Sequence, residues 1–118
     1  MLAKQNRLNK EKDFKRLLQK GKSHFAGIFI LKFRENNLAE SRFGFIISNK
    51  VSKKATMRNL AKRRFREILR QELPMIRNGF DILFIASPKI INEKGKVIKY
   101  KELQELVMAS LKKTKLLV

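Results

Sequence analysis

The chain has 118 residues, with 29 Lys and Arg against ten Asp and Glu for a formal net charge of +19, 43% hydrophobic residues and no cysteine. The apolar fraction excludes a disordered basic tail, the lack of cysteine excludes disulfides and thiolate chemistry, and no run approaches the roughly 20 apolar residues of a membrane span. A charge of roughly 2–8 keeps a small domain soluble, so an excess that costs stability by self-repulsion implies a polyanionic partner, nucleic acid ahead of an anionic membrane.

In chain order, residues 1–9 are basic and polar and are expected to lie loosely against the body or a partner, within a single domain spanning 1–118. Residues 10–20 read as a helix, because Phe14, Leu17 and Leu18 recur at i, i+3, i+4. Glu11 and Asp13 suit its positive end, and Gly21 is a plausible stop. Residues 28–33 are short, apolar and rich in β-branched or aromatic side chains, which predicts a strand. Residues 42–48 predict a second strand, with Phe43, Phe45 and Ile47 on one face and Gly44, Ile46 and Ser48 on the other. The two are expected to pair as a hairpin.

A long basic helix follows over about 54–73, ended by Pro74. Residues 80–86 are apolar on both faces and predict an interior strand. A basic loop over 88–99 leads to a closing helix with Leu103, Leu106, Val107 and Leu111 on one side. The order α-β-β-α-β-α predicts an α/β (α+β) sandwich, a sheet with helices packed on it. The charged first twenty residues hold no apolar signal-peptide core, so the expected location is the cytoplasm.

The basic helix carries the functional signal. Met57, Ala61, Phe65, Ile68 and Leu69 cover one broad sector at 100° per residue and should face the sheet. Lys62, Arg63, Arg66 and Arg70 fill the neighbouring sector, and burying them unpaired would cost several kcal/mol each. Glu67 is the one acid between Lys50 and Arg70, so i,i+4 pairing relieves little of the repulsion. A solvated charged face is the bland alternative. A ridge made for phosphates explains the imbalance better, and arginine forks favour nucleic acid over a lipid surface.

Protein-borne catalysis has little support. The acids are few and dispersed, Asp81 has no evident acidic neighbour and His24 stands alone, whereas general acid–base cleavage of RNA needs two positioned groups. No P-loop or zinc spacing is present.

Four segments resemble the bacterial ribonuclease P protein family. ATMRNLAKRRFRE is similar to its signature helix, approximately A-x-x-R-N-R-x-K-R-x-x-R, matching at Ala55, Arg58, Asn59, Lys62, Arg63 and Arg66 and departing at Leu60. DFKRLLQKGKS, RFGFIISNKVSKKA and FDILFIASP resemble the family's opening helix, Arg-x-Gly strand and interior strand, in the right order from 8 to 111. The resemblance implies a two-layer sandwich with a mixed sheet and a left-handed βαβ crossover, akin to a ribosomal-protein domain. It implies an accessory subunit of the endonuclease that removes the 5′ leader from precursor tRNA, inert by itself. The RNA subunit does the hydrolysis with Mg²⁺ held by RNA and substrate phosphates.

Carried over by position, Arg58, Asn59 and Arg63, with Lys53 and Lys54 in the preceding loop, would meet the catalytic RNA. Phe14, Lys62 and Arg66 would face the leader. Leu18 and Lys32 stand where relatives often have aromatics, and Lys32 would meet a phosphate instead. The implied partners are ribonuclease P RNA and precursor tRNA, with no membrane and no protein partner. The competing interpretations are a ribosomal or general RNA-binding protein, a protein-only nuclease and, last, a membrane-surface protein. Phe14 and Phe29 also fit plain core positions, and Arg64, about 40° from Leu60 on the helix, is a candidate substitute for the missing arginine.

Overall fold

The segment that is apolar on both faces ends up in the middle of the sheet. The structure is a computed structural model and describes residues 2–118. After a 3-10 turn at Lys4–Asn6 come helix α1 (Glu11–Lys20), strands β1 (Lys22–Phe25), β2 (Phe29–Glu35) and β3 (Arg42–Ile46), helix α2 (Ala55–Glu72), strand β4 (Phe80–Ala86) and helix α3 (Tyr100–Lys113). The sheet order is β1-β2-β4-β3, antiparallel between β1 and β2 and between β2 and β4, and parallel between β3 and β4. It is a mixed α+β fold in which β3, α2 and β4 form a βαβ unit.

The hairpin expected between residues 28–33 and 42–48 does not form, because β4 lies between β2 and β3. Ile82, Leu83 and Phe84 are fully buried, and an interior position is what covers both faces of such a strand. The hairpin that does form joins β2 to β1. Lys22, Ser23, His24 and Phe25 make a short, mostly polar strand that periodicity does not announce. Gly27, at φ 84, makes the turn, a conformation that side-chain-bearing residues seldom adopt.

The first residues are not loose either. Leu2 and Leu8 are 2% and 5% exposed. The Leu8 N–H donates to the Phe43 carbonyl at 2.8 Å, and Arg7 bridges to Phe43 in parallel. The Asn6 side-chain amide donates to the Ser41 carbonyl at 2.9 Å. Without this segment β3 would be an open edge with unpaired backbone groups, and two leucines supply the apolar anchors that hold the cover in place.

One face of the sheet is closed by α2 and α3 over a continuous core. Phe65 is its centre, with ring centroids 5.8, 5.6 and 5.2 Å from those of Phe29, Phe45 and Phe84. With Ala61, Ile68 and Leu69 also buried, the rotation of α2 about its axis is set, and the cationic sector faces outward as its spacing predicts.

On the other face, paired residues line up in three rows across the strands. The first is Arg42, Asp81 and Arg34; the second Gly44, Leu83 and Lys32; the third Ile46, Ile85, Ile30 and Phe25. Helix α1 crosses the middle row, with Phe14 at Gly44 and Leu17 clustered with Leu83. Among the described residues no helix is long and apolar enough to cross a membrane.

Candidate nucleic-acid interface

None of Lys62, Arg63 and Arg66 is ion-paired among the described residues. Glu67, the acid on the ridge, is taken by Arg70, whose Nε donates to it at 3.2 Å. That hydrogen bond holds the Glu67 carboxyl below its usual range and raises the Arg70 guanidinium. The ridge therefore presents Lys62, Arg63 and Arg66 with no carboxylate paired to them among the described residues. Asn59, Lys62, Arg63, Arg66 and Glu67 line an open groove of about 560 Å³.

Two arginines of the same helix also make contacts within the fold. Arg58 is half-buried and its Nη1 donates to the Ser52 carbonyl at 2.9 Å, tying the start of α2 to the loop that carries the exposed Lys53 and Lys54. Arg64 turns toward the start of α3, where its Nη1 donates to the Val97 carbonyl at 3.0 Å and to that of Ile98. Arg64 thus does not replace the arginine missing at Leu60, which packs against the core.

A cleft of about 230 Å³ opens on the other side of Lys62 and Arg66. The two side chains form a wall common to groove and cleft. Phe14, Gly44 and Phe45 line the cleft too, together with Leu2, Arg7, Leu8 and Asn9 of the N-terminal segment. The Arg66 guanidinium carbon lies 5.9 Å from the Phe45 ring centroid, a cation–π contact that orients the arginine. The contribution of residues 2–9 was hidden in the sequence by their polar composition, and Leu2 and Leu8 were the one available signal.

Phe14 approaches the sheet where no side chain stands in its way. A Cβ at Gly44 would lie 2.9 Å from the Phe14 ring and 3.1 Å from Leu8. Gly44→Ala is therefore expected to push Phe14 outward and cost about 1–3 kcal/mol, as overpacking does. Urea denaturation checks the loss, and an unchanged midpoint would show that Phe14 is not seated on Gly44.

The position of α1 is locked by charge. Arg42 donates from Nε and Nη2 to the two Asp81 oxygens at 2.8 and 2.7 Å, and from Nη1 to Asp13 at 3.3 Å. The Asp81 hydrogen bond, working against desolvation, raises the Arg42 guanidinium above its ordinary value. Asp81 is thus a clamp residue whose partner is a cation.

The structure brings together Phe14, Lys62 and Arg66 in the cleft and Asn59 and Arg63 beside them in the groove. Lys32 is placed elsewhere: its Nζ donates to the Leu18 carbonyl at 3.3 Å, at the C-terminal end of α1, and it does not line the cleft. Along the same face runs the row Ile46, Ile85, Ile30 and Phe25, an apolar strip ending in Phe25, 70% exposed.

Comparison with known proteins matches residues 2–113 to the family model described as Ribonuclease P. The ribonuclease P protein component of Fusobacterium nucleatum is 35% identical over 112 residues, 95% of this chain and 99% of that protein. That of Thermotoga maritima is 38% identical over 95 residues, 80% of each. Among solved structures, the T. maritima ribonuclease P protein superposes with a TM-score of 0.81 at 34% identity, covering 91% of this chain and 96% of that one. The Staphylococcus aureus ribonuclease P protein gives 0.82 at 27% identity, covering 96% and 98%.

Proposed function

The chain belongs to the ribonuclease P protein family, and from that premise we propose how its surface divides the work of a subunit of this tRNA-processing ribonucleoprotein. Asn59 and Arg63 in the groove, with Arg58 and the Lys53–Lys54 loop at the helix start, dock on ribonuclease P RNA. Lys62, Arg66 and Phe14 hold the 5′ leader of precursor tRNA in the cleft. The observation that carries this reading is the wall of uncompensated cations shared by groove and cleft.

The chemistry follows from charge. Enzyme RNA and substrate RNA repel each other, and cations set between them offset that repulsion where they meet. Phosphate contacts give affinity without sequence choice, which suits a protein that must accept many leaders. Unpaired bases find apolar surface in Phe14 and along the strip from Ile46 to Phe25. Precursor tRNA gains these contacts and mature tRNA does not. Mg²⁺, held by the RNA subunit and substrate phosphates, supplies the hydrolytic chemistry, and the holoenzyme works in the cytoplasm.

Reconstitution with a ribonuclease P RNA at low Mg²⁺ tests this. Adding the protein is expected to restore leader cleavage, and the protein alone to leave precursor tRNA intact. A general RNA-binding protein on the same fold would bind both RNAs and leave the cleavage rate unchanged, and that result would overturn the assignment.

A further inference from the structure

Lys62 and Arg66 share the cleft with a third cation, Arg7, which comes from the N-terminal segment rather than from α2. Asn6 and Leu8 on either side of it are buried, whereas Arg7 is exposed. The segment is anchored on both faces of the sheet. Leu2 enters the core that α2 closes, and Leu8 enters the separate cluster with Leu17 of α1 and Leu83. Arg7 is the bridge partner of Phe43, and residues paired in this way share a face while chain neighbours alternate. Phe43 belongs to the core under α2, so Arg7 projects toward the α2 side and lines the cleft there.

The guanidinium is held in place without being used up. Its Nε donates to the Leu2 carbonyl at 3.0 Å. Among the described residues its two terminal nitrogens make no hydrogen bond, and no carboxylate pairs with it. The cleft itself is lined by no Asp or Glu. Arg42 makes the contrast, since Asp13 and Asp81 consume its charge. Ordering a long exposed side chain costs rotamer freedom, and a side chain already oriented binds at lower cost. Three cations from two elements around one space repel each other, which an anion between them relieves. A guanidinium with a free outer fork matches the oxygens of a phosphate.

We propose that Arg7 is a further leader-binding residue, which grips a phosphate of the 5′ leader from the N-terminal wall of the cleft while Lys62 and Arg66 hold the strand from the α2 wall. The leader then passes between the N-terminal segment and α2, over Gly44 and Phe45. The proposal rests on the reading of the cleft as the leader site, and the experiment separates the two.

Arg7→Gln and Arg7→Lys are measured in holoenzyme assembled with a ribonuclease P RNA, beside the double variant Lys62→Ala, Arg66→Ala. Arg7→Gln is expected to weaken precursor-tRNA binding about tenfold and to leave mature-tRNA binding unchanged. It should also flatten the slope of log affinity against log salt by about 0.7, the share of one phosphate. Arg7→Lys keeps the charge and should restore the slope and most of the affinity. Urea midpoints of the free proteins report what Arg7 does for the fold. Precursor affinity and slope unchanged in Arg7→Gln, with the double variant impaired, overturn the role of Arg7 and leave the leader cleft standing. Equal losses for precursor and mature tRNA assign Arg7 to the RNA subunit and overturn the proposal. A lowered urea midpoint with an unchanged salt slope makes Arg7 a strut of the N-terminal segment and overturns it as well. Absence of a precursor-specific loss in both Arg7→Gln and the double variant overturns the leader reading and this proposal with it.

Discussion

Replacing Lys62 and Arg66 together by alanine is expected to weaken precursor-tRNA binding about 100-fold and to leave mature tRNA almost unaffected. Each side chain offers a charge-assisted hydrogen bond worth about 1.5 kcal/mol, or roughly tenfold, and among the described residues neither is paired with a carboxylate. The salt dependence should flatten by about 0.7 for each phosphate no longer neutralised. Arg66 also rests on Phe45, so a small loss of stability, about 0.5–1 kcal/mol, accompanies the change. Dissociation constants for both tRNAs, measured on assembled holoenzyme across a salt series, decide the matter. Equal losses for precursor and mature tRNA would mean that the two cations serve the RNA subunit rather than the leader.

The largest effect on stability is expected from Arg42→Met. Arg42 is the common partner of Asp13 and Asp81, whose side chains are 7% and 13% exposed. Removing it leaves two carboxylates in a largely dry setting, and breaking a buried pair in this way typically costs about 3–5 kcal/mol. Met keeps much of the packing volume, so the loss reports charge rather than a cavity. Adding Asp81→Asn to Arg42→Met should recover a substantial part of it, since the stranded charge is then gone. Urea titration of the two variants provides the check. No recovery would assign the loss to packing of the arginine stem. Because Asp13 lies on α1, leader affinity should fall with the clamp even where the chain stays folded.

Much of the site was legible because α2 obeys one strong rule. Its apolar spacing had to meet the sheet, and Lys62, Arg63 and Arg66 in the neighbouring sector then had to face water. Helix α3 and the interior position of residues 80–86 followed from the same kind of periodicity. What escaped was decided by long-range partnership. Strand β1 has no alternation strong enough to announce it, and it exists because β2 offers an edge. The pairing of residues 28–33 with 42–48 looked local, and the more apolar β4 took the place between them. Arg64 and Lys32 carry charge like the ridge residues, yet each directs it to backbone carbonyls at a helix end or loop, a fate visible only once the chain has folded. Asp81 read as lacking an acidic neighbour, whereas the structure brings Asp13 to the same Arg42, a meeting of residues far apart in sequence that spacing does not show.

The insertion of β4 between β2 and β3 also dictates an order of events at the ribosome. As the nascent polypeptide emerges, α1 and the β1–β2 hairpin can form from near neighbours. β3 and the greasy stripe of α2 must wait for residues 80–86, since no other strand can complete their contacts. Translation halted before that point would release a fragment with Phe65 and its companions bare, prone to clump rather than fold.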